Sequence, residues 1–173
     1  VAMGKEQNLP MTLLSAIEQV NEEQKQYFVQ KILDAFGGSV RGKNFAVWGL
    51  AYKANTNDMR SAPSITIIRK LLAAGATIQA HDPEASENAH AIFGDTIQYA
   101  ASAESCLEGA DALVVLTDWD AFRNPDWSVV RSRLRHPYLF DGRNMFLPEV
   151  VAEHGLTYWS IGRPAHGDSL QKP

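Results

Sequence analysis

Cationic side chains follow two apolar segments, at positions where they could bind an anion. The run at 45–48 is followed by Lys53 and Arg60, and the run at 138–140 is followed by Arg143. In open α/β sheets, ligands bind outside the carboxyl ends of the strands, where the loops present their side chains. A guanidinium can also donate two parallel hydrogen bonds to a phosphate. We therefore predict that Lys53 and Arg143 converge at one edge of a sheet, within reach of one diphosphate; the alternative is that these cations are only solvated surface charge.

The first cationic loop lies between a strand and a helix. Residues 45–48 are apolar and end at Gly49, which is typical of a central parallel strand buried on both faces. Ser61 is predicted to cap the following helix, Pro63 suits its first turn, and Gly75 ends its apolar pattern. The polar segment is thus predicted to be a strand-to-helix crossover.

The rest of the chain repeats this alternation. Further strands are predicted at 77–81, 97–99, 112–116, 138–140 and 157–160, and short helices at 102–107, 126–134 and 148–154. Alternating strands and helices predict an α/β fold, a parallel Rossmann-like sheet with helices on both faces. Trp119 and Phe122, after the strand at 112–116, are predicted to pack in the core rather than to stack on a ligand.

A long amphipathic helix is predicted before the sheet, over residues 9–36, with Pro10 in its first turn and Gly37 and Gly38 at its end. A helix of roughly 27 residues is about 40 Å long, which exceeds what one small domain needs. It could join two domains, pair with a second subunit or pack only on its own domain. We divide the chain into 1–38, part of a connecting helix; 39–163, an α/β domain; and 164–173, a polar tail.

Several kinds of chemistry have no support in the sequence. The five histidines lack metal-ligand spacing, and neither a nucleophile elbow nor a phosphate-binding lysine loop is present. The crossover after Gly49 lacks the G-x-G-x-x-G of a dinucleotide site, so Asp82, which ends the second strand, is predicted to be a turn or cap residue rather than a ribose ligand. Cys106 lies between two acidic residues, which disfavour a thiolate, and is predicted to be structural.

The composition of the chain limits the classes of partner that we expect it to bind and the compartment in which we expect it to lie. The net charge is −4 without a basic cluster, which argues against nucleic acid and anionic membranes as partners. No apolar run reaches transmembrane length, and a single cysteine fits a reducing compartment. We expect a cytoplasmic location.

Residues 49–64, GLAYKANTNDMRSAPS, resemble a motif of the UDP-glucose/GDP-mannose dehydrogenase family, in its C-terminal nucleotide-sugar-binding domain. Residues 117–122 (T-x-W-x-x-F), 141–144 (DGRN) and 20–24 (VNxxQ) resemble further family segments. The resemblance implies that Tyr52, Lys53 and Arg143 contact the nucleotide sugar and that Arg60 contacts NAD. It also implies that the long helix links two halves of the protein and forms a homodimer interface.

The activity implied by the resemblance is NAD-dependent oxidation of the primary alcohol of a nucleotide sugar, with UDP-glucose as the expected substrate. In the family the reaction passes through a cysteine thiol in a glycine-rich segment upstream of the long helix, and no such segment is present here. The catalytic thiol and the main NAD site are therefore expected in an N-terminal domain, and the start at Val1 suggests a piece of a longer protein. The alternatives are a dehydrogenase of a UDP-N-acetylhexosamine or GDP-mannose, or a non-catalytic nucleotide-binding module.

Overall fold

The computed structural model describes residues 12–167, which form a single six-stranded sheet with helices on both faces. The strands are all parallel and lie in the order β3-β2-β1-β4-β5-β6. Their bounds are β1 Asn44–Trp48, β2 Thr77–His81, β3 Gln98–Tyr99, β4 Ala112–Val115, β5 Tyr138–Asp141 and β6 Thr157–Ser160. The helices are α1 Thr12–Ala35, α2 Pro63–Ala73, α3 Ser86–Phe93, α4 Trp127–Arg133 and α5 Pro148–Glu153. The predicted Rossmann-like fold is confirmed.

Strand β1 is buried on both faces, as its apolar run predicts. Phe45 and Val47 face the core beneath α1, α2 and α3, whereas Ala46 and Trp48 face the core beneath α4 and α5. Successive side chains of a strand point to opposite faces, so a strand covered on both sides must be apolar throughout.

Helix α1 packs on the domain only through its second half. Its buried residues are Phe28, Val29 and Ile32, whereas residues 12–24 are all exposed. The helix ends as predicted, because the backbone N–H of Gly38 donates to Leu33 O at 2.8 Å and closes a glycine cap. The first half therefore extends away from its own sheet. Residues 9–11 of the predicted helix lie outside the described residues.

The start of α2 differs from the prediction. Ala62, not Ser61, is the capping residue, and no side chain caps the helix. A turn in which Ala62 N donates to Met59 O at 3.0 Å precedes the helix and places Ser61 at φ +58°. A cap residue needs an extended backbone, so Ser61 cannot play that role. Pro63 begins the helix as predicted.

One peripheral segment differs from the sequence-based expectation, and another makes a backbone pairing that was not predicted. The helix predicted at 102–107 is a single 3₁₀ turn, Ser105–Leu107. At the predicted tail, His166 pairs with Tyr158 as an antiparallel bridge, with N–O distances of 2.7 and 2.9 Å. This pairing uses only backbone groups, so no pattern of apolar residues in the sequence predicts it. Within residues 12–167, no helix is both long and apolar enough to cross a bilayer.

Candidate functional site

The loops that carry the predicted cations follow two strands near the middle of the sheet, β1 and β5. Lys53 follows β1 and Arg143 follows β5, and β4 lies between these two strands. The strand order reverses direction between β1 and β4, which is the place where ligands of doubly wound sheets bind. The predicted convergence of the two loops at one carboxyl edge is confirmed.

A cleft of about 860 Å³ opens at this edge, and Tyr52, Lys53 and Arg143 all line it. Residues 18–28 of α1 contribute to one wall of the cleft, and Leu116 and Ile67 also line it. Tyr52 is 51% exposed and lines the cleft, so part of its surface is available for contact with a ligand. The arrangement presents an aromatic ring and two cations to one space, which suits a phosphorylated ligand that also carries a ring.

A buried carboxylate holds the loop that carries Tyr52 and Lys53. Asp82 is 3% exposed and lies at the end of β2. It accepts hydrogen bonds from five N–H groups, namely Leu50 N at 2.6 Å, Ala51 N at 3.0 Å, Trp119 Nε1 at 3.1 Å, Glu84 N at 2.9 Å and Ala85 N at 2.8 Å. The prediction that Asp82 is a turn residue rather than a ribose ligand is confirmed, although it does more than cap a turn.

The same contacts bear on whether this crossover could hold a dinucleotide. In a dinucleotide fold, the amides after the first strand bind the pyrophosphate. Here the amides of Leu50 and Ala51 are taken by Asp82, and a Cβ on Gly49 would lie 2.4 Å from Thr117 Cβ. The crossover is closed by protein groups, so it does not fit the pyrophosphate of NAD.

Hydrogen bonds hold both the backbone and the guanidinium of Arg143. Its backbone N donates to the buried carboxylate of Asp141 at 2.8 Å, and its guanidinium Nε and Nη2 donate to Asp118 Oδ1 at 3.1 and 3.0 Å. Partial burial opposes ionisation of Asp118, but hydrogen bonds from its own backbone and from Arg143 outweigh it, so the pKa of Asp118 lies below its ordinary value. Asp118 is therefore a carboxylate at neutral pH.

Gly142 lines the cleft, and a side chain at this position would contact other parts of the domain. An added Cβ would lie 3.1 Å from Val115 O and 3.5 Å from Phe28 Cζ. The space that a side chain would occupy is already filled by β4 and α1, so packing within the domain is enough to require a glycine at this position.

Arg60 lies apart from the cleft. It lines a separate shallow hollow of about 700 Å³ between the β1–α2 loop and α3. Its Nη2 lies 2.7 Å from Asp58 Oδ2, and 91% of its side chain is exposed. The side-chain hydrogen bond from Arg60 lowers the pKa of Asp58 to about 2. An exposed guanidinium could touch a cofactor bound by another domain, but a single cation does not make a cofactor site.

The predicted structural residues are buried. Cys106 is fully buried, and burial raises the pKa of its thiol to about 12. Trp119 and Phe122 are 7% and 1% exposed and belong to the core beneath α4 and α5. Their predicted packing role is confirmed. In residues 12–167, no group of three potential metal ligands comes together.

Several cleft residues were not predicted from the sequence. Helix α1 contributes Glu18, Asn21, Glu22 and Lys25 to the cleft, and Lys25 Nζ is paired with Glu22 Oε1. The VNxxQ segment at 20–24 was a signal, but it suggested a dimer helix and not a cleft wall. Asp118 carried no local signal, because its partner Arg143 lies on another loop.

Comparison with known proteins identifies the family of this chain. A family model described as UDP-glucose/GDP-mannose dehydrogenase family, UDP binding domain, matches residues 46–148, from β1 to the start of α5. The chain belongs to this family. The matched region contains Tyr52, Lys53, Arg60 and Arg143, so every predicted binding residue lies in the family's UDP binding domain.

Among individual proteins, the chain is 37% identical over 172 residues to a UDP-glucose 6-dehydrogenase of Pseudomonas aeruginosa, covering 96% of this chain and 38% of that protein. It is 40% identical over 163 residues to the UDP-glucose 6-dehydrogenase TuaD of Bacillus subtilis, covering 94% and 35%. The chain thus spans little more than a third of the length of these relatives.

Solved structures share the fold. A UDP-glucose dehydrogenase from Pyrobaculum islandicum has a TM-score of 0.71 and 31% identity, over 83% of this chain and 32% of that one. An NDP-N-acetyl-D-galactosaminuronic acid dehydrogenase from Methanosarcina mazei has a TM-score of 0.67 and 26% identity, over 80% and 28%.

Proposed function

We propose that this chain is the nucleotide-sugar-binding portion of an NAD-dependent UDP-glucose 6-dehydrogenase. The observation that carries the proposal is the cleft in which Lys53 and Arg143, from two loops of a UDP binding domain, line one space. The choice of UDP-glucose rests on the relatives of 37% and 40% identity, which are named for that substrate. A dehydrogenase of another nucleotide sugar is the alternative, supported by the Methanosarcina neighbour.

In this proposal the cleft binds the substrate and the chemistry is carried out elsewhere in a longer protein. Lys53 and Arg143 neutralise the diphosphate, and the half-exposed ring of Tyr52 packs on the ligand. NAD, when bound, supplies the hydride acceptor for oxidation of the sugar alcohol. Its main site belongs to a further domain of the same protein, because the crossover of this chain is closed by Asp82, and Arg60 contributes one exposed contact. We also propose a cytoplasmic location.

Titration calorimetry with UDP tests the binding half of the proposal. We expect Lys53→Ala and Arg143→Ala each to weaken UDP binding by about 1–3 kcal/mol, the range for hydrogen bonds to charged groups. Arg69→Ala is the matched control, because Arg69 is exposed on α2 and does not line the cleft. Uridine, which has no phosphates, should bind the two cleft variants as it binds the parent chain. Equal UDP affinity in all four proteins would refute the proposal.

An activity assay tests whether this chain binds the substrate without catalysing its oxidation. We expect the 173-residue chain to produce no NADH from UDP-glucose and NAD, because its one thiol is buried and protonated. Turnover that disappears in Cys106→Ser would mean that the thiol has been misassigned.

We further propose that α1 forms a homodimer interface. Leu13, Ile17 and Val20 are 74%, 48% and 53% exposed and follow one stripe of the helix. At 3.6 residues per turn this stripe lies about 100° around the helix from the buried Phe28, Val29 and Ile32 of α1, so it is beside the face that packs on the domain and not on it. An exposed apolar stripe of this kind is typical of an interaction surface.

Analytical ultracentrifugation tests the interface. We expect the parent chain to sediment as a dimer and Ile17→Glu to shift it toward a monomer, because a charge would be buried in the stripe. The control is Gln26→Glu, which adds the same charge on the opposite side of the helix. A monomeric parent chain at high concentration would contradict the proposal.

A further inference from the structure

Asp118 lies in the loop after β4, between two residues whose side chains are anchored to neighbouring segments. Thr117 Oγ1 donates to Ala51 O at 2.6 Å, and Trp119 Nε1 donates to Asp82 Oδ2 at 3.1 Å. Both anchors are buried, with Thr117 fully enclosed. The backbone of Asp118 is therefore fixed relative to the loop that carries Lys53.

The contact between Asp118 and Arg143 uses only one edge of the guanidinium. Nε and Nη2 both donate to Asp118 Oδ1, at 3.1 and 3.0 Å. A guanidinium has five N–H donors in a planar fork, and the edge formed by Nη1 and Nη2 can still donate to a phosphate. Among residues 12–167, no acceptor is hydrogen-bonded to Nη1. The pair thus leaves a phosphate-binding edge free on a residue that lines the cleft.

This pair is also partly shielded from water. The side chains of Arg143 and Asp118 are 31% and 39% exposed. By comparison, the neighbouring pair of Arg123 and Asp120 is 49% and 87% exposed, although its Nε–Oδ1 distance of 2.8 Å is similar. Shielding strengthens an ion pair and reduces the freedom of the arginine, because fewer water molecules compete for the guanidinium.

We propose that Asp118 is the positioning residue for Arg143: it fixes the guanidinium so that the free edge points at the ligand before the ligand arrives. The inference rests on the proposed function, since the ligand is the diphosphate of a nucleotide sugar. Holding a long side chain in its bound conformation removes an entropic cost of binding. The negative charge of Asp118 opposes this by repelling the phosphates, but Arg143 neutralises it at hydrogen-bonding distance, so we expect the positioning effect to dominate.

Titration calorimetry of a double-mutant cycle tests the proposal, with UDP as the probe. We expect Asp118→Asn to weaken UDP binding about three- to tenfold, the effect of freeing one long side chain. In an Arg143→Met background, Asp118→Asn should no longer weaken UDP binding and should strengthen it instead, because the carboxylate of Asp118 then repels the phosphates without Arg143 to neutralise it. Asp120→Asn is the matched control and should bind UDP as the parent chain does, and melting curves of all variants test for altered folding.

Two results would overturn the proposal. One is that Asp118→Asn binds UDP as tightly as the parent chain or tighter, and the other is that it weakens binding equally with and without Arg143. A second measurement separates this proposal from the proposed function. The ¹⁵N relaxation of Arg143 Nε should show an ordered guanidinium in the parent chain and a mobile one in Asp118→Asn, without any ligand. Equal mobility of Arg143 in the two proteins, whether high or low, refutes positioning even if UDP binds. An Arg143 that is ordered in the parent chain and mobile in Asp118→Asn supports positioning even if UDP does not bind.

Discussion

Replacing Asp82 should destabilise the fold more than replacing any exposed carboxylate, because Asp82 accepts hydrogen bonds from five buried or partly buried N–H groups. In Asp82→Asn, one carboxylate oxygen becomes an NH₂ group. Whichever way the amide turns, at least two of the five donors then face another donor. Each buried donor left without an acceptor costs about 1–3 kcal/mol, so we expect a loss of about 3 kcal/mol in the free energy of unfolding. Asp82→Ala removes both acceptor oxygens and should cost about 5 kcal/mol, the upper range for single substitutions.

Thermal unfolding followed by circular dichroism measures this effect. For a chain of this size each kcal/mol lowers Tm by about 2–4 °C, so Asp82→Asn should unfold about 6–12 °C below the parent chain. The control is Asp126→Ala, because Asp126 caps the exposed start of α4 through Ser128 N and Val129 N. Loss of that cap should cost about 1 kcal/mol. If Asp82→Asn melted no lower than Asp126→Ala, our account of Asp82 as the anchor of the β1–α2 loop would be wrong.

Two further predictions follow from shifted pKa values. Burial raises the pKa of Cys106 from 9.0 to about 12, so a thiol reagent at pH 8 should label the folded chain slowly and the urea-unfolded chain rapidly, and rapid stoichiometric labelling of the folded chain would contradict the burial. Because the unfolded thiol loses its proton first, stability should also fall as the pH rises from about 9 toward 12. The side-chain hydrogen bond from Arg60 lowers the pKa of Asp58 from 3.8 to about 2, so this contribution to stability is present above pH 3.8 and is lost as the pH falls through about 2. A carboxyl ¹³C titration should give that low value in the parent chain and a higher value in Arg60→Gln, still below 3.8 because the backbone N–H of residue 60 continues to donate to Asp58 Oδ1, and the same titration curve in both would show that the Arg60 side chain is not the cause.

Much of the fold could be predicted because its signals are local. The apolar run at 45–48, the turn formed by Asp82 and Pro83 and the stop at Gly37 and Gly38 each depend on a few neighbouring residues. Asp126 begins the predicted helix at 126–134, and in the structure it is the residue that caps α4. Ser61 shows the limit of such reasoning, because a turn closed by Met59 O places it at a positive φ that its residue type does not indicate.

The sequence by itself determined the alternation of strands and helices, the family and the cationic loops that carry the predicted binding residues. These features follow from the spacing of apolar residues, from the composition and from short sequence motifs, all of which depend on residues close together in the sequence. Only the tertiary structure decided that β4 lies between β1 and β5, and therefore that Lys53 and Arg143 line one cleft. It also decided that Asp118 holds Arg143 and that α1 forms a wall of the cleft. The physical reason is that strand order and ion pairs between loops depend on packing between distant segments, which no local pattern of residues specifies.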